Sequence, residues 1–399
     1  MKVLFLCGIF GEESYPEIIE RSRGGVEFSA NILEKRITDG FHRAGYDVDV
    51  VSAPYIGAYP CRSDVFCFNG FSADNGDYKY VNFNNVWGIR NFSRASAVKR
   101  ALSDFISLKD EKILVIYGAH TPFLDAASYV KRADSSVKIC LIIPDLPQYM
   151  NLNASKSLVY RAAKIFDIRK MYGLMEAVDS FVLLTEQMKD MIPISSRPSL
   201  IAENVIDSSS LNVNKAERGD GEKRVVYTGK LNEKFGIKNL VESFKYINDP
   251  DFRLILCGSG DCNDYVTEAA KRDGRIIIRG QVSPDVSKQI QLNADVLINP
   301  RPNDDEYTKY SFPSKIIEYL LTDIPVVSYM LDGMPKEYSD FIYEIDAEGD
   351  AAKAIAFAIE KAYGDSKENK LKKASTFRDY AKNKLDSKKI AEAIVSMNR

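Results

Sequence analysis

The chain has 399 residues, 45% of them hydrophobic, which is longer than one hydrophobic core usually serves, so two domains are expected. Lysine and arginine number 54 against 56 acidic residues, and the formal charge of -2 argues against a nucleic-acid-binding protein. The six cysteines show neither a CxxC pair nor zinc-finger spacing, which predicts reduced, buried thiols in a cytoplasmic protein.

The chain opens with an apolar run, Val3 to Cys7, that predicts a β-strand. The run is short for a signal peptide and no small-residue cleavage site follows it. No stretch of the sequence approaches the ~20 apolar residues of a membrane span. A glycine loop, Arg23 to Glu27, leads into apolar residues at helical spacing, and a second strand is predicted from Val48 to Val51.

The N-terminal half continues with one irregular stretch and three apolar runs. Residues 54–100 are polar and aromatic, and we expect excursions from the sheet there, with a hairpin as one form of them. The three runs are continuous, as strands of a parallel sheet covered on both faces require: Ile113 to Tyr117, Ile139 to Ile143 and Phe181 to Leu184. Residues 1–206 are therefore predicted to form a doubly wound, Rossmann-like α/β domain.

Residues 207–223 form a polar run without periodicity, which marks a linker between domains. A second alternation of strands and helices follows and predicts another Rossmann-like domain over residues 224–375. Its predicted strands are Arg224 to Tyr227, Leu254 to Cys257, Ile276 to Ile278, Val296 to Ile298 and Val326 to Ser328. Residues 376–399 are charged and helical in pattern, without a strand signal.

A polar loop and a short helix follow the strand at Val296. The helix is predicted to begin near Pro313, because proline suits the first helical position. Free N–H groups at such a helix end favour an anion, so Ser314 and Lys315 are candidate phosphate contacts. Glu318 lies off the apolar stripe of this helix, and it faces either a cleft or solvent.

The run YSFPSKIIEYLLTDIPVV after ADVLINPRP resembles the donor-site signature of GT-B glycosyltransferases of family 4, most closely those that assemble bacterial capsular and exopolysaccharides. The resemblance implies a GT-B fold, two Rossmann-like doubly wound domains facing each other across a cleft, with the last helix, residues 376–399, crossing back to the N-terminal domain. In that family, two glutamates with seven residues between them contact the sugar and the ribose. Glu318 matches the ribose glutamate, Tyr310 stands at the sugar position, and Glu306 is the nearby alternative.

Other segments resemble further parts of that family. The run GKLNEKFG resembles its diphosphate site and offers Lys230 and Lys234; the alternative is solvated lysines at a helix start. The loop around Gly25 resembles its glycine loop, whose backbone approaches phosphates and acceptor, and otherwise forms an ordinary turn. YGAHTPF places His120, and IIPDLPQYM places Asp145, after strands where α/β domains bind ligands, against the alternatives of a loop histidine and a helix-capping aspartate.

The acidic residues do not indicate a metal site. Asp304, Asp305 and Glu306 are adjacent, but the resemblance implies cationic side chains and helix dipoles in place of a metal. Asp47 and Asp49 satisfy a DxD pattern, yet they open a predicted strand and are interpreted as structural. No cofactor is therefore expected.

The resemblance implies a retaining, metal-independent hexosyltransferase of surface polysaccharide synthesis that uses a nucleotide sugar, with UDP favoured over GDP. Its acceptor would be a saccharide or a lipid-linked saccharide. The basic, apolar segment Lys156 to Met175 fits either an ordinary surface helix or peripheral contact with an anionic membrane. Two alternatives are a non-catalytic GT-B protein that binds nucleotide or a partner, suggested by Tyr310, and a sugar-nucleotide epimerase.

Overall fold

The computed structural model describes residues 1–23, 28–72, 76, 78–150, 158–210 and 221–399, and only the backbone is described at 158–160 and 210. The chain divides into two compact units. The first contains Met1–Asp207 together with Lys384–Arg399, and the second contains Ser208–Asn383. The last segment of the chain therefore belongs to the unit in which the chain starts.

The first unit alternates strands and helices. Its elements are β1 (Lys2–Cys7), α1 (Tyr15–Arg21), α2 (Phe28–Arg43), β2 (Asp47–Ser52), β3 (Cys67–Phe68), β4 (Lys79–Tyr80), β5 (Phe83–Asn84), α3 (Arg90–Ala101), α4 (Ser103–Ser107), β6 (Lys112–Tyr117), α5 (Thr121–Ala133), β7 (Lys138–Ile143), α6 (Leu158–Leu174), β8 (Ser180–Leu183) and β9 (Ser199–Ile201).

A seven-stranded parallel sheet forms the centre of this unit, in the order β4-β2-β1-β6-β7-β8-β9. Both faces of β1 are buried, because Val3 and Phe5 pack on one side while Leu4 and Leu6 are buried on the other. The face of Phe5 packs against Ile37 of α2 and against residues of the C-terminal segment. Continuous apolar strands thus make a sheet covered on both sides, as predicted.

The second unit repeats this plan. Its elements are β10 (Lys223–Thr228), α7 (Ile237–Ser243), β11 (Phe252–Cys257), α8 (Asn263–Arg272), β12 (Ile276–Gly280), α9 (Pro284–Leu292), β13 (Val296–Asn299), α10 (Ser314–Leu320), β14 (Val326–Ser328), β15 (Tyr343–Glu344), α11 (Ala351–Gly364) and α12 (Lys367–Tyr380). The parallel sheet has the order β12-β11-β10-β13-β14-β15. A π-helical turn, Ala381–Leu385, then leads to α13 (Ser387–Met397) in the first unit.

Most predicted strands are confirmed, and three details differ. In the irregular stretch, β3 and β5 form a small antiparallel pair, while β4 joins the edge of the main sheet. Pro313 precedes the first residue of α10 and is extended, with φ -75° and ψ 100°, so the helix begins one residue later than expected. The expectation of buried thiols is wrong for Cys61, which is exposed, and for Cys67, which is half-buried.

The structure offers no helix capable of crossing a membrane within its described ranges. The Asp47 and Asp49 carboxylates both pair with Lys2, at 2.8 Å and 3.0 Å. The two carboxylates of the DxD pattern therefore connect the start of β2 to Lys2 of β1, which is consistent with a structural role.

Candidate functional site

Each sheet reverses its strand order at one point, and several of the predicted site residues follow the strands there. In the second unit the reversal lies between β10 and β13, which pair in parallel through Val225 and Val296. Ligands of open α/β sheets bind at the carboxyl ends of strands at such a switch point. The loop after β10 carries the predicted lysines, and the loop after β13 leads to α10.

The loop after β10 is held by a glycine in a left-handed conformation. Gly236 has φ +77°, and a Cβ atom there would lie 2.0 Å from the carbonyl oxygen of Pro300, the residue that follows β13. Only glycine fits both the dihedral angle and the close approach. This contact brings the loop after β10 against the start of the loop after β13.

Lys230 and Lys234 both project from this loop into solvent. The Lys234 ammonium lies 5.2 Å from the centre of the Phe235 ring. Tyr227 donates a hydrogen bond to the backbone oxygen of Lys230, which fixes the turn while leaving the lysine side chain outside it. Neither ammonium has a carboxylate partner among the described residues, so both are available to an anion.

Arg301 is a cation that the sequence interpretation missed. Its guanidinium lies 5.8 Å from the same Phe235 ring and 5.0 Å from the ring of Tyr307. Burial lowers the pKa of Arg301, although Tyr307 and Asp305 oppose the change. Lys234 and Arg301 therefore lie against the same aromatic ring. The signal in the sequence was an arginine two residues after the strand that ends at Asn299.

Glu318 is tied to the end of β10. One of its carboxylate oxygens accepts hydrogen bonds from Gln291 at 2.6 Å and from Lys315 at 2.9 Å. The buried Gln291 also donates to the Thr228 hydroxyl at 2.9 Å, and the Tyr319 hydroxyl accepts from the Thr228 N–H at 2.8 Å. Because Thr228 directly precedes the lysine loop, these bonds hold Glu318 at the carboxyl edge of the sheet, with 44% of its side chain exposed.

The remaining predicted donor residues are less closely grouped. Ser314 is exposed in the first turn of α10, which has only seven residues. Tyr310 is buried and ends the short 3-10 turn Glu306–Tyr310, whereas Glu306 is exposed at its start. The Glu306 carboxylate therefore faces solvent, whereas the Tyr310 ring is buried.

In the first unit, His120 lies at the switch point between β1 and β6. It precedes α5, and its ring packs on Tyr55 with centres 4.7 Å apart. Burial, together with the nearby charges of Arg94 and Arg90, lowers the pKa of His120 to about 3. The imidazole is therefore neutral at neutral pH.

Glu34 is a buried carboxyl group that the sequence interpretation also missed. One oxygen accepts from the Gly8 N–H at 2.8 Å, directly after β1. Within the described residues, the other oxygen makes no hydrogen bond of good geometry, and the Tyr55 hydroxyl, which donates to the Tyr117 carbonyl, is its polar neighbour. Burial raises the pKa of Glu34 to about 8, so the carboxyl is protonated at neutral pH and its O–H can donate to Tyr55. The sequence carries no clear signal for this residue, because a glutamate on a helix is usually exposed.

The other predicted residues of the first unit have separate positions. Asp145 is exposed in the bend that follows β7. Gly25, Gly24 and Glu27 lie outside the described residues. Arg23 pairs with Asp64 and donates to the backbone oxygen of Pro60 at 3.2 Å. The described part of the chain brings no three His, Cys, Asp or Glu side chains together as a metal ion would need.

The sequence of the second unit matches a known family. Residues 222–365 match the glycosyl transferases group 1 family. The matched segment runs from β10 to the end of α11 and includes Lys230, Lys234, Arg301 and Glu318. No curated protein matches the chain in sequence.

Solved structures are similar to the chain in fold. A glycosyltransferase from Rickettsia africae aligns with a TM-score of 0.63 at 10% identity over 99% of this chain and 97% of that chain. Anabaena HepE in complex with UDP aligns with a TM-score of 0.61 at 14% identity over 99% of each chain. These likenesses show the GT-B fold, two Rossmann-like domains in one chain.

Coverage is smaller for a mutant of S. aureus TarM in complex with fondaparinux, alpha-GlcNAc-glycerol and UDP. The chain spans 60% of the length of that protein, with 80% of this chain covered, 13% identity and a TM-score of 0.49.

Proposed function

We propose that the protein is a retaining, metal-independent glycosyltransferase of family 4 that moves a hexose from a nucleotide sugar to a saccharide or lipid-linked saccharide acceptor. A UDP-sugar is favoured over a GDP-sugar, in keeping with the UDP bound to Anabaena HepE. One observation carries the proposal. Hydrogen bonds through Gln291 and Tyr319 hold Glu318 at the switch point of a sheet inside the matched segment, beside a loop whose two lysines pair with no carboxylate of the described residues.

The donor would use this edge in two ways. Glu318 accepts the ribose hydroxyls, since a carboxylate takes two hydrogen bonds at once. In doing so it exchanges its bond with Lys315, which becomes available to phosphate together with Ser314. Lys234, Lys230 and Arg301 meet the diphosphate, whose charge grows as the glycosidic bond breaks, so these cations stabilise the transition state more than the ground state.

The transfer step exchanges one bond of the anomeric carbon for another. The bond between the anomeric carbon and the diphosphate oxygen breaks, and a bond to the acceptor oxygen forms on the same face of the sugar. The acceptor proton passes to the departing phosphate. His120, which is neutral, orients the sugar by hydrogen bonding, while Asp145 and Gly25 serve the acceptor side; Tyr310 or Glu306 contacts the sugar.

The proposed setting is surface polysaccharide synthesis, such as that of a capsule or exopolysaccharide, with the protein in the cytoplasm and in peripheral contact with the membrane. A lipid-linked acceptor would require that contact.

The test is release of nucleotide diphosphate from a panel of UDP- and GDP-sugars, with and without saccharide acceptors. Activity in the parent, a strong loss in Lys234→Ala, and full activity in Lys238→Ala would support the proposal. Lys238 is the matched control, because its ammonium is already paired with Glu233 at 2.7 Å. Turnover unchanged in Lys234→Ala would overturn the donor site described above.

A second candidate is a non-catalytic GT-B protein that binds nucleotide without transferring sugar. The buried Tyr310 at the position of the family's sugar-contacting glutamate favours it. A thermal shift with UDP but no turnover of any donor, alongside a stable protein partner, would select this candidate. An epimerase would instead yield an epimerised free sugar nucleotide.

A further inference from the structure

The first unit carries a group of large apolar side chains on its surface. Six of them are between 51% and 72% exposed, whereas surface apolar residues normally occur singly. Three come from the segment that leads into α3 and from its first turn, one from the strand excursion before it, and two from α6. We call them the aromatic patch: Phe66, Trp87, Ile89, Phe92, Ile165 and Phe166.

Contacts between neighbouring residues connect these side chains into one surface. The Tyr59 ring lies 5.4 Å from the ring of Phe66, and the Tyr59 carbonyl accepts from the N–H of Trp87 at 3.0 Å. The Lys170 ammonium, one helical turn after Phe166, lies 5.9 Å from the ring of Phe92. The start of α3 and the exposed face of α6 are therefore neighbours.

The exposed charges of α3 and α6 are positive. Each helix has four basic residues, although Arg94 is buried and Lys99 pairs with Asp125 at 2.6 Å, and the two helices together have a single acidic residue, Asp167. That carboxylate accepts a hydrogen bond from the Thr121 hydroxyl at 2.6 Å, so it is engaged by α5. Arg161, Arg169 and Lys170 are exposed on the same helix as Phe166. The whole chain, by contrast, has a net charge of -2, so this positive surface is local.

We propose that the aromatic patch rests on the surface of an anionic lipid bilayer. Tryptophan and phenylalanine side chains suit the apolar boundary below the lipid headgroups. The flanking lysine and arginine side chains suit the phosphates of the headgroups. The start of α3 is fixed to β5, because the Ser93 hydroxyl accepts a hydrogen bond from the Asn84 N–H at 2.8 Å. This inference deepens the proposed function, since a lipid-linked acceptor would be met at that surface.

The chain supplies its own probe, because Trp87 is its single tryptophan and is 66% exposed. Full-length protein, without donor or acceptor, is titrated with phosphatidylcholine vesicles containing or lacking phosphatidylglycerol. We expect a blue shift of the tryptophan emission only with the anionic vesicles, quenching by lipids brominated near the headgroup, and release at high salt. An unchanged spectrum with anionic vesicles would overturn the proposal whether or not the enzyme transfers sugar.

Variants distinguish vesicle binding through the aromatic patch from nonspecific adsorption of the protein. Phe92→Ser with Phe166→Ser should weaken vesicle binding about tenfold or more, and so should Arg169→Glu with Lys170→Glu. Phe357→Ser, equally exposed at 69% but on α11, should bind as the parent does. Equal loss in that control, or light scattering that shows the patch closing a dimer in place of binding vesicles, would refute the assignment. Circular dichroism confirms that each variant is folded, and the Trp87 quenching of the parent stands without any variant.

Discussion

Replacing Glu34 by glutamine should make the first unit more stable at neutral and alkaline pH. The carboxyl is fully buried and bonded to the Gly8 N–H, and burial raises its pKa to about 8. In the unfolded chain a glutamate titrates near pH ~4.3. Between these two values the folded protein keeps a proton that the unfolded protein has lost, so raising the pH favours unfolding.

The magnitude follows from that difference. From pH 5 to pH 8 the parent should lose on the order of 3 kcal/mol of unfolding free energy through this group. Glu34→Gln keeps the shape, accepts from Gly8 and can donate to Tyr55, yet does not titrate. It should remove this slope and exceed the parent in stability above pH 6.

Urea unfolding followed by circular dichroism at several pH values measures the slope. Hydrogen exchange of amides in β1 and α2 reports the first unit separately, since a two-unit chain need not unfold in one step. Glu360→Gln, an exposed position on α11, is the matched control and should keep the slope of the parent. If parent and Glu34→Gln lose stability in parallel between pH 5 and pH 8, the buried carboxyl is not protonated and the reasoning fails.

Three further outcomes concern the second unit. Lys234→Ala should lower kcat about a hundredfold by removing charge from the leaving diphosphate, while Lys238→Ala leaves it unchanged in the nucleotide-release assay. Glu318→Gln should raise the donor KM about tenfold with a smaller effect on kcat, because a charge-assisted bond to ribose is lost; an equal KM would argue against ribose binding there. Gly236→Ala should lower the midpoint of thermal unfolding by an amount equivalent to about 2 kcal/mol or more, since its Cβ meets a carbonyl oxygen at 2.0 Å. Gly280→Ala, also at positive φ but in open space, should cost about half as much.

The fold was predictable because the strands of both sheets are short continuous apolar runs. Runs such as Ile113 to Tyr117 need burial on two faces, and their alternation with helices leaves few arrangements open. The stretch from Pro54 to Arg100 was not predictable in detail. Its pairing of Cys67 with Asn84 depends on contacts between residues far apart in sequence, and no periodicity signals it.

Site residues were predictable where they lie within one recognisable run of the sequence. They were not predictable where side chains from separate elements meet. Glu318 and Lys234 stand in recognisable runs, whereas Gln291 comes from a separate helix and only the structure brings it to the carboxylate. Arg301 depends on the ring of Phe235, which lies in another loop. Glu34 resembles any helical glutamate until the burial of its helix face is known.

The return of α13 to the first unit has a consequence for how the protein is made. The hydrophobic core beside β1 includes Ile390, Ile394 and Val395, so part of it is synthesised about 190 residues after the last strand of its own sheet, β9. On the ribosome the second unit, which is continuous in sequence, can fold as it emerges. The first unit keeps one flank of its core uncovered until α13 has also left the ribosome.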